Sequence, residues 1–385
     1  MKSAAGDLRR VQPRRDVPLL KPIWSSDATV ADDCTLHQIA PYIGRLKTSI
    51  ARALISKRTH TGDLIVDPFC GAGTIALEAA VMGRKVVACD WNPYAVLLTR
   101  AKLFPPRSFG VAERRLYRAW GLSRERLDEQ DLRAVPAWVR RFFHPETLRS
   151  ALAFRDACIE LKDSFLLACL LGILHHQRPG FLSYPASHLV PYLRDKNFPH
   201  GTYPELYEER DVFTRLDAKV RRTFRRPADP YSESRRVIKA DARDLRGLRG
   251  VQAVITSPPY MNELDYVRDN RLRLWFVERS LPANMELVAR ERDAAFTALI
   301  RTVCVQLAPA IRPGGYFVLV VGDATRGNGR RGCPAVLTKT VFDAEPALKR
   351  FRLDAVYQDR IPDVRRCRRE CRGTKTETVL VYRGG

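Results

Sequence analysis

The sequence predicts an α/β fold, a Rossmann-like, doubly wound sheet interrupted by a mainly helical insert. Three observations predict it. The apolar run Leu64-Ile65-Val66 ends at Asp67 and passes through a Gly-rich turn into a helical pattern, the strand–turn–helix opening of a nucleotide-type site. A second strand, Lys85 to Cys89, ends at Asp90, and another helix starts after Asn92-Pro93. Far downstream, the fully apolar stretch Tyr316 to Val321 reads as a strand buried on both faces.

The elements follow in order. Residues 1–34 are polar, proline-containing and basic (Arg9, Arg10, Arg14, Arg15), which predicts a flexible arm. From Thr35 to Ser56 a helical period places Leu46, Ile50, Ala53 and Leu54 on one face. The βαβ unit completes a cofactor-binding half, 35–104. The alternation then stops. Residues 105–235 read as an insert of helices, clearest over 148–175, with a loop-rich stretch from Arg178 to Tyr207. The insert closes on the basic cluster Arg221-Arg222 and Arg225-Arg226 and is a candidate for target recognition. Residues 236–385 resume the α/β pattern. They hold a strand ending at Asp241, a strand over 251–256, a helix over 285–310, a Pro313-Gly314-Gly315 turn and two closing strands near 353–358 and 378–382.

At 385 residues the chain is long enough for two domains, or for one large α/β domain carrying an insertion. Its net charge of +23 implies a polyanionic partner, nucleic acid ahead of an anionic membrane surface. The excess is mostly arginine, which suits bidentate phosphate contacts, although a coding bias toward Arg would give the same total. The nine cysteines include no Cys-x2-Cys pair, and no histidine follows Cys367 and Cys371, so neither a metal site nor a disulfide framework is expected. His175-His176 has no carboxylate at helical spacing and reads as structural. No long apolar run or signal-peptide pattern is present, which predicts a soluble, cytoplasmic, nucleoid-associated protein with no membrane partner.

The Gly-rich turn, Asp67-Pro68-Phe69-Cys70-Gly71-Ala72-Gly73-Thr74, narrows the ligand. Gly71 and Gly73 lack Cβ and let a ligand approach the backbone closely. No Gly-Lys-Ser/Thr follows, which excludes Walker-type phosphate binding, and the third glycine of a dinucleotide fingerprint is missing. Asp67 is placed to accept from an amine. Asp90, with Trp91 and Asn92 beside it, ends the next strand, where a carboxylate grips ribose hydroxyls. A ligand with an amino acid part, a ribose and no phosphate fits: S-adenosylmethionine. A purely structural turn with a capping Asp is the plainer alternative. Asp241, followed by Ala242, is placed either to accept from the cofactor's adenine amino group or simply to cap a helix before Leu245.

Thr256-Ser257-Pro258-Pro259-Tyr260 supplies the second half of a chemistry. An exocyclic base amine is a poor nucleophile because its lone pair is delocalised into the ring. Acceptors that hold its two hydrogens, Ser257 Oγ and the Pro258 carbonyl, favour the pyramidal geometry of attack. Pro258 and Pro259 fix φ and remove two donors, while Tyr260 offers a face for the base to stack on. A base within a duplex would have to be flipped out.

Together these motifs resemble the DNA amino-methyltransferase family, the S-adenosylmethionine-dependent N4-cytosine/N6-adenine enzymes, here of Ser-Pro-Pro-Tyr type. The resemblance covers 35–104 and 236–385. It implies a class I methyltransferase fold, with the cofactor motif at Asp67 to Gly73, the second- and third-strand acids at Asp90 and Asp241, and the catalytic tetrapeptide at Ser257 to Tyr260. Pro41 to Leu46 is similar to the family's N-terminal cofactor motif. Arg312 to Tyr316, with Gly322-Asp323, is similar to its later sheet motifs. A Ser at the first catalytic position is associated with N4-cytosine, so the resemblance implies DNA as partner, with a companion restriction nuclease left unassigned. RNA amino-methylation and N6-adenine methylation of DNA stay open, as does a silent DNA-binding protein that keeps the fold. For phosphate contacts the candidates are Arg365, Arg366, Arg368 and Arg369, within the Arg-rich segment 360–375, and Arg221 and Arg222. Asp265 to Arg268 is a candidate lining of the target pocket. The insert matches no target-recognition module.

Overall fold

The computed structural model describes residues 19–24, 33–42, 44–176, 180–185, 197–230, 234–259, 270–280, 292–322, 324–325, 331–361 and 375–385. A two-residue strand, β1 (Leu19–Leu20), and α1 (Thr48–Arg58) precede the expected βαβ unit. That unit runs β2 (Leu64–Asp67), α2 (Thr74–Val81), β3 (Lys85–Asp90) and α3 (Pro93–Leu103). The insert contributes α4 (Phe109–Glu125), α5 (Ala137–Arg140), α6 (Pro145–Glu160), α7 (Ser164–Leu174) and α8 (Val212–Thr223). Next come β4 (Arg235–Lys239), β5 (Val251–Thr256), α9 (Arg271–Glu278), α10 (Arg292–Leu307) and β6 (Ile311–Gly322). A short ribbon, β7 (Ala324–Thr325) with β8 (Arg331–Gly332), leads to α11 (Pro334–Ala344), β9 (Phe351–Ile361) and β10 (Lys375–Gly384).

The main sheet has the strand order β1-β9-β10-β6-β5-β2-β3-β4. Its described strands are parallel except β10, which runs antiparallel to both β6 and β9. This is the class I methyltransferase sheet. Chain order reverses between β2 and β5, so their carboxyl ends, Asp67 and Thr256, flank the switch point where ligands bind in open α/β sheets. β5 is buried along its whole length and is largely apolar, whereas β4 at the sheet edge is only partly buried, with Arg236 and Lys239 exposed.

One face of the sheet (Val66, Val254, Phe317, Leu319) packs on α10 and α11 through Ile300, Val303, Val341 and Phe342. The other (Ile65, Val86, Ile255, Val318) packs on α1 and α2 through Ile50, Leu54, Ile75 and Ala79. Each such aliphatic or aromatic side chain contributes roughly 1.5–3 kcal/mol when fully removed from water. A third cluster joins the outer sides of α2 and α3 (Leu77, Tyr94, Leu97, Leu98) to α4, α6, α7 and α8. The insert is therefore an outer helical layer sharing its core with the cofactor half. It also incorporates α9, from beyond the catalytic turn, through Leu272, Trp275 and Phe276. Arg155 of α6 donates to the carbonyls of Phe276 (2.7 Å) and Val277 (3.0 Å).

Three expectations change. Part of the predicted arm is structured: Leu19 and Leu20 pair in parallel with β9, and Trp24 is buried, its Nε1 donating to Asp359 (3.2 Å). The helix expected from Thr35 to Ser56 begins at Thr48, with a separate 3₁₀ turn at Thr35–Gln38. The single pattern over 148–175 is two helices, because Lys162 turns the chain with φ 53° and Asp163 caps α7 by accepting from Leu166 N–H (3.0 Å).

Candidate functional site

The carboxyl ends of β2, β3 and β5 open into one shared cleft. Of the residues nominated from sequence, Asp67, Phe69, Cys70, Gly71, Thr74, Asp90, Trp91, Asn92, Ser257 and Pro259 line it. The cofactor turn and the acceptor turn thus share one cavity, although they are nearly 200 residues apart in the chain.

The Gly-rich turn is held from several sides. Gly71 donates to Asp90 Oδ2 (2.9 Å), and Asn92 N–H donates to Asp90 Oδ1 (2.9 Å), which locks the two strand ends together. Gly71 and Gly73 both take left-handed backbone conformations, with φ of 46° and 69°. A Cβ on Gly73 would lie 2.6 Å from Thr99 Oγ1 on α3, so the turn sits directly on that helix. Thr99 also donates to the Gly71 carbonyl (3.3 Å), and the fully buried Lys102 ammonium donates to the Ala72 carbonyl. Burial first, and then the Arg45 cation, bring Lys102 down to about 7. Asn92 Oδ1 caps α3 by accepting from Tyr94 N–H (2.9 Å).

The acceptor turn has a different anchor. Thr256, the last residue of β5, donates through Oγ1 to Asp67 Oδ1 at 2.7 Å, and Phe69 N–H donates to the same oxygen at 3.3 Å. Burial pushes Asp67 up to about 7 in spite of these bonds, and Asp90 up to about 6. Two carboxylates this short of compensation suit a ligand carrying positive charge and hydroxyl donors. Thr74 Oγ1 and Asn92 Nδ2, both in lining residues, are buried without a hydrogen-bond partner among the described residues. The carboxylates, the orphaned donor and hydroxyl, and the exposed backbone of the turn fit an amino acid–ribose ligand.

Other nominated residues lie elsewhere. Pro68, Gly73 and Pro258 are buried beneath the cleft wall and are not among its lining residues. Asp241 caps the short 3₁₀ turn Ala242–Asp244, accepting from Arg243 N–H (2.9 Å) and pairing with the Arg243 guanidinium (2.6 Å). Ala242 is buried in the core under α10. Neither is among the residues lining the cleft. Arg221 pairs with Asp217 (2.7 Å) and Glu113 (2.9 Å) and lies over the Phe109 ring, while Arg222 is exposed. His175 bonds Ser183 Oγ (2.7 Å), and no group of three potential metal ligands occurs among the described residues. Tyr260, Asp265 to Arg268, Asp323 and Arg365, Arg366, Arg368 and Arg369 lie outside the described residues. No helix among the described residues is long and apolar enough to cross a membrane.

The cleft also contains residues from the segment similar to an N-terminal cofactor motif. Tyr42, Gly44, Arg45 and Leu46 form one wall, and Tyr42 lies against Gly71, whose Cβ would be 3.4 Å from its ring. The similarity of Pro41 to Leu46 to an N-terminal cofactor motif was the only signal for them. Thr256 was read only as the residue before the acceptor tetrapeptide, with no role of its own.

Comparison with known proteins agrees with this geometry. Residues 39–106 match a family model described as the RMKL-like methyltransferase domain of UPF0020. The chain is 31% identical over 68 residues to the Type II methyltransferase M.MjaII of Methanocaldococcus jannaschii, covering 18% of this chain and 13% of the relative. It is 40% identical over 48 residues to the tRNA (guanine(10)-N2)-dimethyltransferase of the same organism, covering 12% and 14%. The Methanothermobacter thermautotrophicus protein of that name is 33% identical over 93 residues, covering 24% of each chain. The matches span a quarter or less of these relatives' lengths. The sheet order and the matched segment make this a class I methyltransferase fold that takes S-adenosylmethionine, and the chemistry of the cleft fits that ligand.

Proposed function

We propose that the chain methylates an exocyclic amine of a nucleobase in RNA. The carrying observation is the Asp67–Thr256 hydrogen bond (2.7 Å), which ties the cofactor strand to the strand that delivers Ser257 and Pro259 into the same cleft. Asp67 would hold the amino acid end of the cofactor and Asp90 its ribose, with Gly71 leaving room for close backbone approach. When bound, S-adenosylmethionine supplies a methyl group on a sulfonium, already reactive toward nitrogen. The protein's task is then alignment. Ser257 Oγ would accept an amine hydrogen, favouring the pyramidal geometry that frees the nitrogen lone pair from the ring, and Tyr260 would stack on the base. After transfer the nitrogen sheds one proton to solvent, so no strong general base is required.

Two of the matched relatives are named as tRNA methyltransferases acting on a guanine N2 amine, which supports RNA. The net charge of +23 suits any nucleic acid. The second reading is N4 of cytosine in DNA, favoured by Ser257 at the first position of the acceptor turn and by the match to M.MjaII. Incubating the protein with labelled S-adenosylmethionine and separate RNA and DNA pools, then identifying the methylated nucleosides by mass spectrometry, tests both. An N-methylated base in RNA is expected. N4-methylcytosine or N6-methyladenine in DNA alone would overturn the RNA assignment, and no label in either pool would overturn the activity.

A further inference from the structure

A second groove runs beside the edge strand β4 and shares no lining residue with the cofactor cleft. Its four cations come from three places: Arg100 near the end of α3, Arg115 and Arg118 on α4, and Lys162 in the turn between α6 and α7. All four are exposed. The one acid in the lining, Asp163, is already engaged by the Leu166 N–H (3.0 Å) and by Arg115 (3.8 Å). Arg118 and Lys162 have no carboxylate partner among the described residues.

Two features set this groove apart from an ordinary solvated basic face. Lys162 is one of only two non-glycine residues with positive φ among the described residues (53°). A long basic side chain is thus carried at a strained turn that glycine or asparagine would occupy more easily. Phe104 lines the same groove 44% exposed, with the Arg235 guanidinium 4.7 Å from its ring centre. A cationic groove with an aromatic ring in its wall is the arrangement that tracks a nucleic-acid backbone while offering a surface to a base.

We propose that this groove grips the phosphodiester backbone of the substrate, away from the reacting base. The proposal rests on the reading of the chain as a nucleic-acid methyltransferase and gives the insert its task. The groove contributes affinity and register, and the acceptor turn selects the base. Because the contacts are to phosphate, RNA and DNA strands share the chemistry, and the experiment carries both.

The test is fluorescence anisotropy with labelled single-stranded RNA and DNA of one sequence, measured for the wild type and for Arg118→Glu/Lys162→Glu between about 50 and 200 mM salt. Binding of the strand that the wild type holds should weaken by about tenfold or more, and the slope of log K against log salt should fall by about 1.4, or 0.7 for each lost single-strand contact. Melting temperature and S-adenosylmethionine affinity should stay at wild-type values. If the double reversal does not fold, Arg118→Gln/Lys162→Gln carries the measurement, with the same loss of slope. Unchanged affinity and slope in a folded variant, with the wild type binding, would overturn the groove alone. A wild type that binds neither strand would overturn the groove together with the nucleic-acid reading.

Discussion

The two turns that meet in the cleft end neighbouring parallel strands, yet they are made rigid in different ways. The turn after β2 relies on non-covalent support. Its amide bonds Asp90, its carbonyls receive Thr99 and Lys102, and its glycines let it lie on α3. The turn after β5 relies on its own covalent structure, two proline rings in succession, with the Thr256–Asp67 bond tying its base to the neighbouring strand. The difference suits the two tasks. A cofactor turn must present donors and close-packed backbone, which a network can position. An acceptor turn must present bare oxygens, which prolines provide by removing the competing N–H groups.

Disabling one turn should therefore leave the other intact. Ser257→Ala removes an acceptor without touching the cofactor wall. Methyl transfer should fall by roughly 100-fold or more while S-adenosylmethionine affinity stays within a fewfold, as single-turnover transfer and calorimetry would show. Equal loss of both would mean that the turns are not separable. Gly73→Ala attacks the other side. It places a Cβ 2.6 Å from Thr99 Oγ1 at a φ of 69°, and the combined strain and overlap should cost about 2–4 kcal/mol of stability. Adding Thr99→Ala should recover the steric part and leave the backbone part, which denaturant titration of the single and double variants would resolve.

How much of this was legible in sequence depended on how local the determinant was. Asp67 to Thr74 and Ser257 to Pro259 could be read because a strand end, a turn and a helix start are encoded contiguously. Asp90 followed from the regular spacing of the βαβ unit. The pairing of Asp241 with Arg243 was not legible, because it shows only with the guanidinium in place. The contacts of Thr256 with Asp67, of Tyr42 with Gly71 and of Lys102 with Ala72 were not legible, since each is made across the fold. The insert hid most. Its period showed helices, but only packing reveals that they share a core with α2, α3 and α9. The cations of the groove lie too far apart in the chain to form a run.

The central claim is that Asp67 and Asp90 hold the cofactor as carboxylates that burial has left short of compensation. Burial raises both above the usual carboxylate range, to about 7 and about 6. Their contribution to the stability of the cofactor-free protein is therefore full below a pH of about 4 and is lost as pH rises through those values. Cofactor binding favours the ionised forms and should run the opposite way. The direct measurement is calorimetric titration of S-adenosylmethionine from about pH 5 to about pH 8, for the wild type and Asp67→Asn. The account predicts affinity that climbs about tenfold or more across that range, with the upper part of the rise lost in Asp67→Asn. A wild-type affinity independent of pH would contradict it.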